Sequence, residues 1–493
     1  MRTVPGSTDS VVVVGAGLGG LSAALHLAGA GRSVTVAERE AVPGGRAGMI
    51  RDHGYLFDTG PTVLTMPELV QQPLAAVGED LADRLVLHRL DPAYRARFAD
   101  GSTIDVRADV DAMCAEIERT CGASDAAGYR RFVDHLRRLY AIEMPHFIDR
   151  NLDSPLQLVG APLARLVLSG GFRRLGTKVA QFVTDERLRR LFSFQAMYAG
   201  LAPARALAIY SVITYMYCVA GVYFPEGGMH AVPRALADAA AAHGVRLRYN
   251  TTVTRIEIAG GRARAVITAD GDRIPADVVV VNADLPTATR ELLPPGYAPR
   301  GVRRLRYSPS AVVLHAGSSA SFADPAHHTI DFGASWDDTF TRIIDRGELM
   351  SDPSFLLTTP TVTDPSLAPA GRNTYYALFP APNLARRTVA WAQHADSYRE
   401  HMIDTLESRG YQGFRDGIEC SYLVTPADWK AQGIAAGAPF AASHRFLQTG
   451  PFRIPTLDRR VENLVYAGSN TQPGVGVPMV LISGRLAAQR ITG

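Results

Sequence analysis

Residues 11–20 read Val11-Val12-Val13-Val14-Gly15-Ala16-Gly17-Leu18-Gly19-Gly20. Four consecutive β-branched residues are the pattern of a strand buried on both faces of a parallel sheet. The glycines that follow fit G-x-G-x-x-G, with Gly15, Gly17 and Gly20 in the three positions. The first allows a tight turn, the second lets backbone approach a pyrophosphate, and the third brings helix and strand close together. Free N–H groups at the helix N-terminus then favour negative charge. A helix is expected through Leu21, Leu25 and Leu27, then a second strand at Val34-Thr35-Val36. Glu38 lies 18 residues beyond Gly20, at the end of that strand, where a carboxylate can accept hydrogen bonds from ribose hydroxyls. The unit is a dinucleotide-binding βαβ.

Glu38 alone does not separate NAD from FAD. The residues just beyond it do: Gly44-Gly45-Arg46, then Phe57-Asp58-Thr59-Gly60-Pro61. This resembles the two-dinucleotide-binding flavoproteins, in which a glycine pair and an arginine at this distance lie along the FAD diphosphate. Tyr466-Ala467-Gly468-Ser469 and the helical pattern at 478–491 fit a second piece of the same domain near the C-terminus. No second full G-x-G-x-x-G stands between a strand and a helix, so no separate NAD(P)H domain is expected.

The 493 residues are too many for one compact core. With 47% hydrophobic and 20% charged residues the chain is a folded protein rather than a disordered one. Its 51 Lys+Arg nearly balance 48 Asp+Glu, so nucleic-acid binding is not expected. Only Lys178 and Lys430 are lysines. Cys114, Cys121, Cys218 and Cys420 have no metal-ligand spacing and are too sparse for a disulfide scaffold, which points to a reducing compartment. Residues 1–10 hold no apolar run of secretory type.

From Ala206 to Pro225 the chain carries no formal charge. That is long enough to cross a bilayer, but Ser211, Thr214, Gly221 and four scattered tyrosines favour a buried helix followed by a strand. Residues 110–220 are mainly helical by periodicity, and Asp100-Gly101 marks a hairpin. The expected division is a nucleotide-binding domain in three segments, 1–105, 226–300 and 441–493. Two further segments are inserted between them: 106–225, helical and facing substrate and membrane, and 301–440, the rest of the substrate domain. The fold class is α/β, a Rossmann-like FAD-binding domain with an inserted mixed α+β domain.

Nearly the full length resembles the bacterial phytoene desaturases of carotenoid biosynthesis, within the amine-oxidase-like flavoproteins. Beyond the N-terminal motifs the resemblance rests on Phe192-Ser193-Phe194-Gln195, Gly221-Val222-Tyr223-Phe224-Pro225, His327-His328-Thr329, Asp364-Pro365-Ser366 and, most specifically, the string from Pro473 to Leu486. It implies FAD contacts at Gly15, Gly17, Gly19, Gly20, Glu38, Arg39, Gly44, Gly45, Arg46, Gly60 and Pro61. It also implies Val253 at the adenine, Asn282, Ala283 and Asp284 near the site, and Gly468 with Val477, Pro478 and Met479 at the flavin end. Two positions depart from the family pattern: Tyr217 stands where an acid is common, and Gln472 where His is common.

The implied reaction removes a hydride and a proton from neighbouring carbons of an apolar isoprenoid, phytoene or a related carotene. The flavin takes the hydride, and the protein positions the substrate and excludes water. A carboxylate, a tyrosine or the reduced flavin can take the proton, and Tyr217 is the one candidate catalytic residue. Electrons then pass to oxygen or a quinone. The alternatives are a desaturase, saturase or isomerase of another isoprenoid or lipid, and a non-catalytic flavin-dependent lipid carrier. No metal is expected, and His327-His328 reads as packing. Arginine pairs between 130 and 190, beside Phe132, Leu136, Leu139 and Phe172, suggest peripheral docking on the inner face of the cell membrane, so the expected localisation is cytoplasmic.

Overall fold

The computed structural model describes residues 1–386 and 389–493. The Val11–Val14 run lies in a strand, Ser10–Val14, at the middle of a five-stranded parallel sheet. The sheet order is Leu464–Tyr466, Val278–Val281, Ser10–Val14, Ser33–Ala37, Arg246–Arg248. Its strands come from three distant parts of the chain, and the registers are continuous, with Val13 opposite Val280 on one side and Val36 on the other. The first helix, Leu18–Gly29, packs against the last, Val477–Thr492. Small residues make that approach possible: a Cβ at Gly484 would lie 2.3 Å from the Gly19 carbonyl oxygen, and the Ser22 hydroxyl donates to the Leu481 carbonyl at 2.8 Å.

A second, seven-stranded sheet runs in the order Ile418–Val424, Ser310–Ser318, Asn373–Ala381, Phe355–Thr358, His328–Phe332, Tyr94–Phe98, Thr103–Val106. The hairpin at Asp100-Gly101 forms as expected, but its two strands join this sheet, Tyr94–Phe98 running parallel to His328–Phe332. The expected boundary at residue 105 is thereby corrected: residues 94–106 belong to the second sheet. The alternation of buried Tyr94, Ala96 and Phe98 with charged Arg95 and Arg97 gives them one apolar face, and Phe98 stacks on Phe332 at 5.2 Å.

Helices Val110–Cys121 and Ala123–Glu143 lead the connecting layer. The uncharged run folds as a short helix, Ser211–Tyr215, a π-helical turn, Met216–Ala220, and a strand, Tyr223–Pro225. Among the described residues no helix is long and apolar enough to cross a membrane.

Candidate active site

One cavity of about 1370 Å³ runs between the two sheets. It exceeds the roughly 300–1,000 Å³ of a typical single-ligand site. One end is polar. There Glu38 stands beside Thr251, Thr252 and Val253, held by a hydrogen bond from the Thr251 N–H to the Glu38 carbonyl at 2.7 Å. The Glu38 carboxylate accepts the Ala16 N–H at 2.6 Å and the Glu40 N–H at 3.0 Å, and still has lone pairs free for a ligand. Arg39 sits at the rim, bonded to the Gln432 carbonyl at 2.8 Å.

The glycine turn forms the middle of the wall. Asn282 packs behind it: a Cβ at Gly17 would meet Asn282 Oδ1 at 2.8 Å, and one at Gly19 would meet Nδ2 at 2.8 Å. Gly15, Gly17, Gly19, Gly44, Gly45, Gly60, Pro61, Ala283, Gly468, Val477, Pro478 and Met479 all line the cavity. Gly20 does not; it lies under the helix, where a Cβ would come within 2.2 Å of the Gly15 carbonyl oxygen. Gly44 and Gly45 take positive φ, 122° and 55°, and the Gly44 N–H donates to Ala16 at 2.9 Å, which draws this loop against the turn. Arg46 ties the segments together, with Nη2 to Asp284 at 2.8 Å and Nη1 to the Ser469 hydroxyl at 2.6 Å.

Two helix N-termini, at Leu18 and Val477, open onto this cavity with no side-chain cap and no acid in the first turn. Uncapped N–H groups, a guanidinium and a terminal carboxylate form a donor set that suits a dinucleotide.

Sequence reasoning missed a buried arginine at this end. Arg453 donates to the backbone carbonyls of Thr471, Gln448, Ala442 and Ser469, bracing the loops beside the Val477 helix, and burial lowers its pKa to about 10. Gln472 is buried as well. Its amide donates to Leu152 at 2.9 Å and Gly450 at 3.2 Å, so the side chain present at this departure from the family pattern acts as a clamp.

The other end is apolar. Phe194, Tyr198, Tyr217, Phe332 and Trp336 form an aromatic chamber, with Tyr198 and Tyr217 stacked at 5.5 Å. The uncharged run supplies Ile209, Tyr210, Val212, Ile213, Met216 and Tyr217 to its wall. Burial raises the pKa of Tyr217 and Tyr198 above the ordinary tyrosine value. Glu143 also lines this half. It continues the buried face of its helix after Phe132, Leu136 and Leu139, and Oε1 has no partner among the described residues. Burial pushes its carboxyl well above the usual range. A charged residue on an apolar helical stripe was the signal that could have found it. His444, beside Tyr210, is driven well below its ordinary value by burial and then by the Arg453 charge.

Asp58 anchors the turn at 228–230 through the N–H groups of Met229 (2.8 Å) and His230 (3.0 Å). Burial raises its pKa to about 6 despite those bonds. An unfolded aspartate titrates near 3.9, so between about pH 4 and 6 the native state binds the proton more tightly. The corresponding stability is present below about pH 4 and is lost as pH rises through 6, by on the order of 3 kcal/mol. Urea unfolding from pH 4 to 7 is expected to show that slope in the wild type and a flatter one in Asp58→Asn.

Residues 18–492 match the model of the flavin containing amine oxidoreductases. Over its whole length the chain is 58% identical to the phytoene dehydrogenase of Streptomyces griseus, covering 97% of that protein. The zeta-carotene-forming phytoene desaturase of Myxococcus xanthus is 37% identical over 98% of this chain and 93% of its own. The chain belongs to the phytoene desaturase family. Among solved structures, an oxidoreductase from Methanosarcina mazei superposes with a TM-score of 0.61 at 18% identity, covering 96% of this chain and 98% of that one. A putrescine oxidase variant gives 0.63 at 16%, covering 99% of both. These two likenesses concern the fold, and the desaturase-family chain shares it. Its cofactor is FAD. Neither Lys178 nor Lys430 lines the cavity. Among the described residues no cluster of His, Cys, Asp or Glu could hold a metal.

Proposed function

We infer that this protein desaturates phytoene or a related carotene, using FAD held along the polar half of the cavity and the hydrocarbon in the apolar half. The observation that carries this reading is the continuity of the two halves: a dinucleotide-type donor set opens directly into a hydrocarbon-lined chamber. The names of the relatives support the substrate class. In this reading Glu38 meets the ribose and Val253 the adenine. Gly15, Gly17, Gly45 and Arg46 lie along the diphosphate, with Arg39, Gly44, Gly60, Pro61, Ala283 and Asp284 around it. Gly468 and Val477 to Met479 meet the flavin, Gly19 and Asn282 line the cavity at the turn, and Gly20 sets the shape of the turn from behind. When bound, FAD supplies the hydride acceptor. The chain's own residues orient the polyene against aromatic faces and keep water out. The acceptor that takes the electrons onward is oxygen or a quinone.

The substrate lives in a bilayer, and the cavity mouth suits contact with one. Phe172, Phe446 and Phe452 both line the cavity and reach solvent. Around them stand Leu156, Val159, Leu168 and Leu447, with Leu168 86% and Leu447 71% exposed. Arg165, Arg173, Arg174 and Arg445 flank this apolar rim in solvent. Such a surface fits peripheral attachment to an anionic membrane. Of the expected region, only the part around Phe172, Arg173 and Arg174 lies on this rim. Phe132, Leu136 and Leu139 are core residues, and Arg130 and Arg137 pair with Asp111 and Asp134, so the 130–139 stretch presents no apolar face.

Anaerobic mixing of the flavin-loaded protein with phytoene in liposomes tests the reading. Bleaching of the flavin together with new conjugated absorption is the expected result. Lipid that binds and is recovered unchanged would favour the carrier alternative.

A further inference from the structure

Burying a guanidinium is expensive unless a carboxylate accompanies it. Among the described residues Arg453 and Arg490 are the two buried arginines, and they differ in this respect. Arg490 is paired with Asp153 at 2.7 Å. Arg453 gives its protons to backbone carbonyls instead: Thr471 at 2.9 Å, Gln448 at 3.1 Å, Ala442 at 3.2 Å, and Ser469. The side chains that feel its charge, Tyr210 and His444, line the cavity. Burial raises Tyr210 to about 12, and burial followed by the Arg453 charge drives His444 well below its ordinary value, so neither offers it a negative charge near neutral pH. The guanidinium stands directly behind one part of the wall. Ser469 and Thr471 line the cavity and belong to the turn between the strand Leu464–Tyr466 and the helix Val477–Thr492. That helix starts uncapped and without an acid in its first turn, so its dipole adds positive potential at the same end.

We propose that Arg453 is a fixed, uncompensated positive charge that raises the reduction potential of the bound flavin. This rests on the reading that the flavin lies at Gly468 and Val477 to Met479. A hydride leaving the hydrocarbon carries its electron pair, and with it one negative charge, to this end of the cavity, while the proton leaves the neighbouring carbon separately. A positive charge surrounded by protein rather than water favours the state that holds that extra negative charge. Arginine suits the task, because burial lowers Arg453 only to about 10 and the charge persists at neutral pH. The carbonyl bonds hold the guanidinium in place before the electrons arrive, so the charge needs no reorganisation at that moment. A carboxylate partner of the kind that Arg490 has would cancel most of the effect. A hydrocarbon is a weak hydride donor, so a raised potential serves desaturation in particular.

The test is the midpoint potential of flavin-loaded wild type, Arg453→Lys and Arg453→Met, read by anaerobic dye-coupled reduction at about pH 6, where a buried lysine keeps more of its charge. Arg453→Met should lower the reduction equilibrium at least tenfold, about 30 mV for a two-electron couple. Arg453→Lys keeps a charge while giving up part of the carbonyl clamp, and should stay within about threefold of wild type. A residue that only clamps the loops would cost both variants stability and leave both potentials unchanged. That result, or an equal fall of potential in both, overturns the proposal. If Arg453→Met holds no flavin, wild type decides: its potential should lie above that of free FAD in the same buffer, and a value at or below it overturns the proposal. Wild-type protein that takes up no FAD overturns the flavin reading itself. A lowered potential in Arg453→Met supports the role of Arg453 even where phytoene fails to bleach the wild type, a failure that would overturn the desaturase reading alone.

Discussion

Gly20→Ala should yield protein with less than a tenth of the wild-type flavin content, read as the ratio of flavin to protein absorbance after purification. The added methyl carbon would sit 2.2 Å from the Gly15 carbonyl oxygen and 2.9 Å from Asn282 Oδ1. Neither can yield easily. Gly15 belongs to the turn, and Asn282 is held by the Ala467 carbonyl at 3.1 Å. Relief therefore comes from moving the Leu18–Gly29 helix off its strand, which costs about 1–3 kcal/mol as overpacking does elsewhere. The same movement draws the helix N-terminus away from the diphosphate and loosens the packing at Gly19 and Gly484. Gly176→Ala is the matched control, since a Cβ there meets nothing within 4 Å. It should keep its flavin, and a Gly20→Ala protein as yellow as that control would refute the account of the turn.

Leu168→Asp combined with Leu447→Asp should abolish co-sedimentation with anionic vesicles and cut turnover of liposomal phytoene by a factor on the order of a thousand. Each leucine contributes about 2 kcal/mol when buried in an apolar phase, so the pair accounts for ~4 kcal/mol of partitioning. The added carboxylates oppose binding further beside anionic lipid. Because both side chains stand in solvent, the fold should not change, and turnover of detergent-dispersed phytoene should stay within about twofold of wild type. Vesicle binding that survives the double substitution would remove this rim from the docking surface.

The nucleotide half was legible because its requirements are local. A buried strand, a turn that tolerates no Cβ and an uncapped helix follow one another within twenty residues, and Gly44, Gly45 and Arg46 lie close behind. The substrate half was less legible. Residues 94–106 read as a hairpin, which they are, but nothing within them specifies the parallel pairing with His328–Phe332. Arginine beside Phe132 and Leu136 resembles a membrane-facing pattern until burial separates the two kinds of side chain.

The sequence by itself determined the dinucleotide unit, the family and the apolar character of residues 206–225, since backbone sterics and side-chain polarity are properties of neighbouring residues. Only the tertiary structure decided that Arg46 meets Asp284 and Ser469, that Glu143 faces the cavity with its Oε1 unpartnered among the described residues, and that residues 156–172 and 446–452 form one rim. The physical reason is that charge state, desolvation and hydrogen-bond satisfaction depend on which distant segments come together, and no single stretch of sequence encodes them.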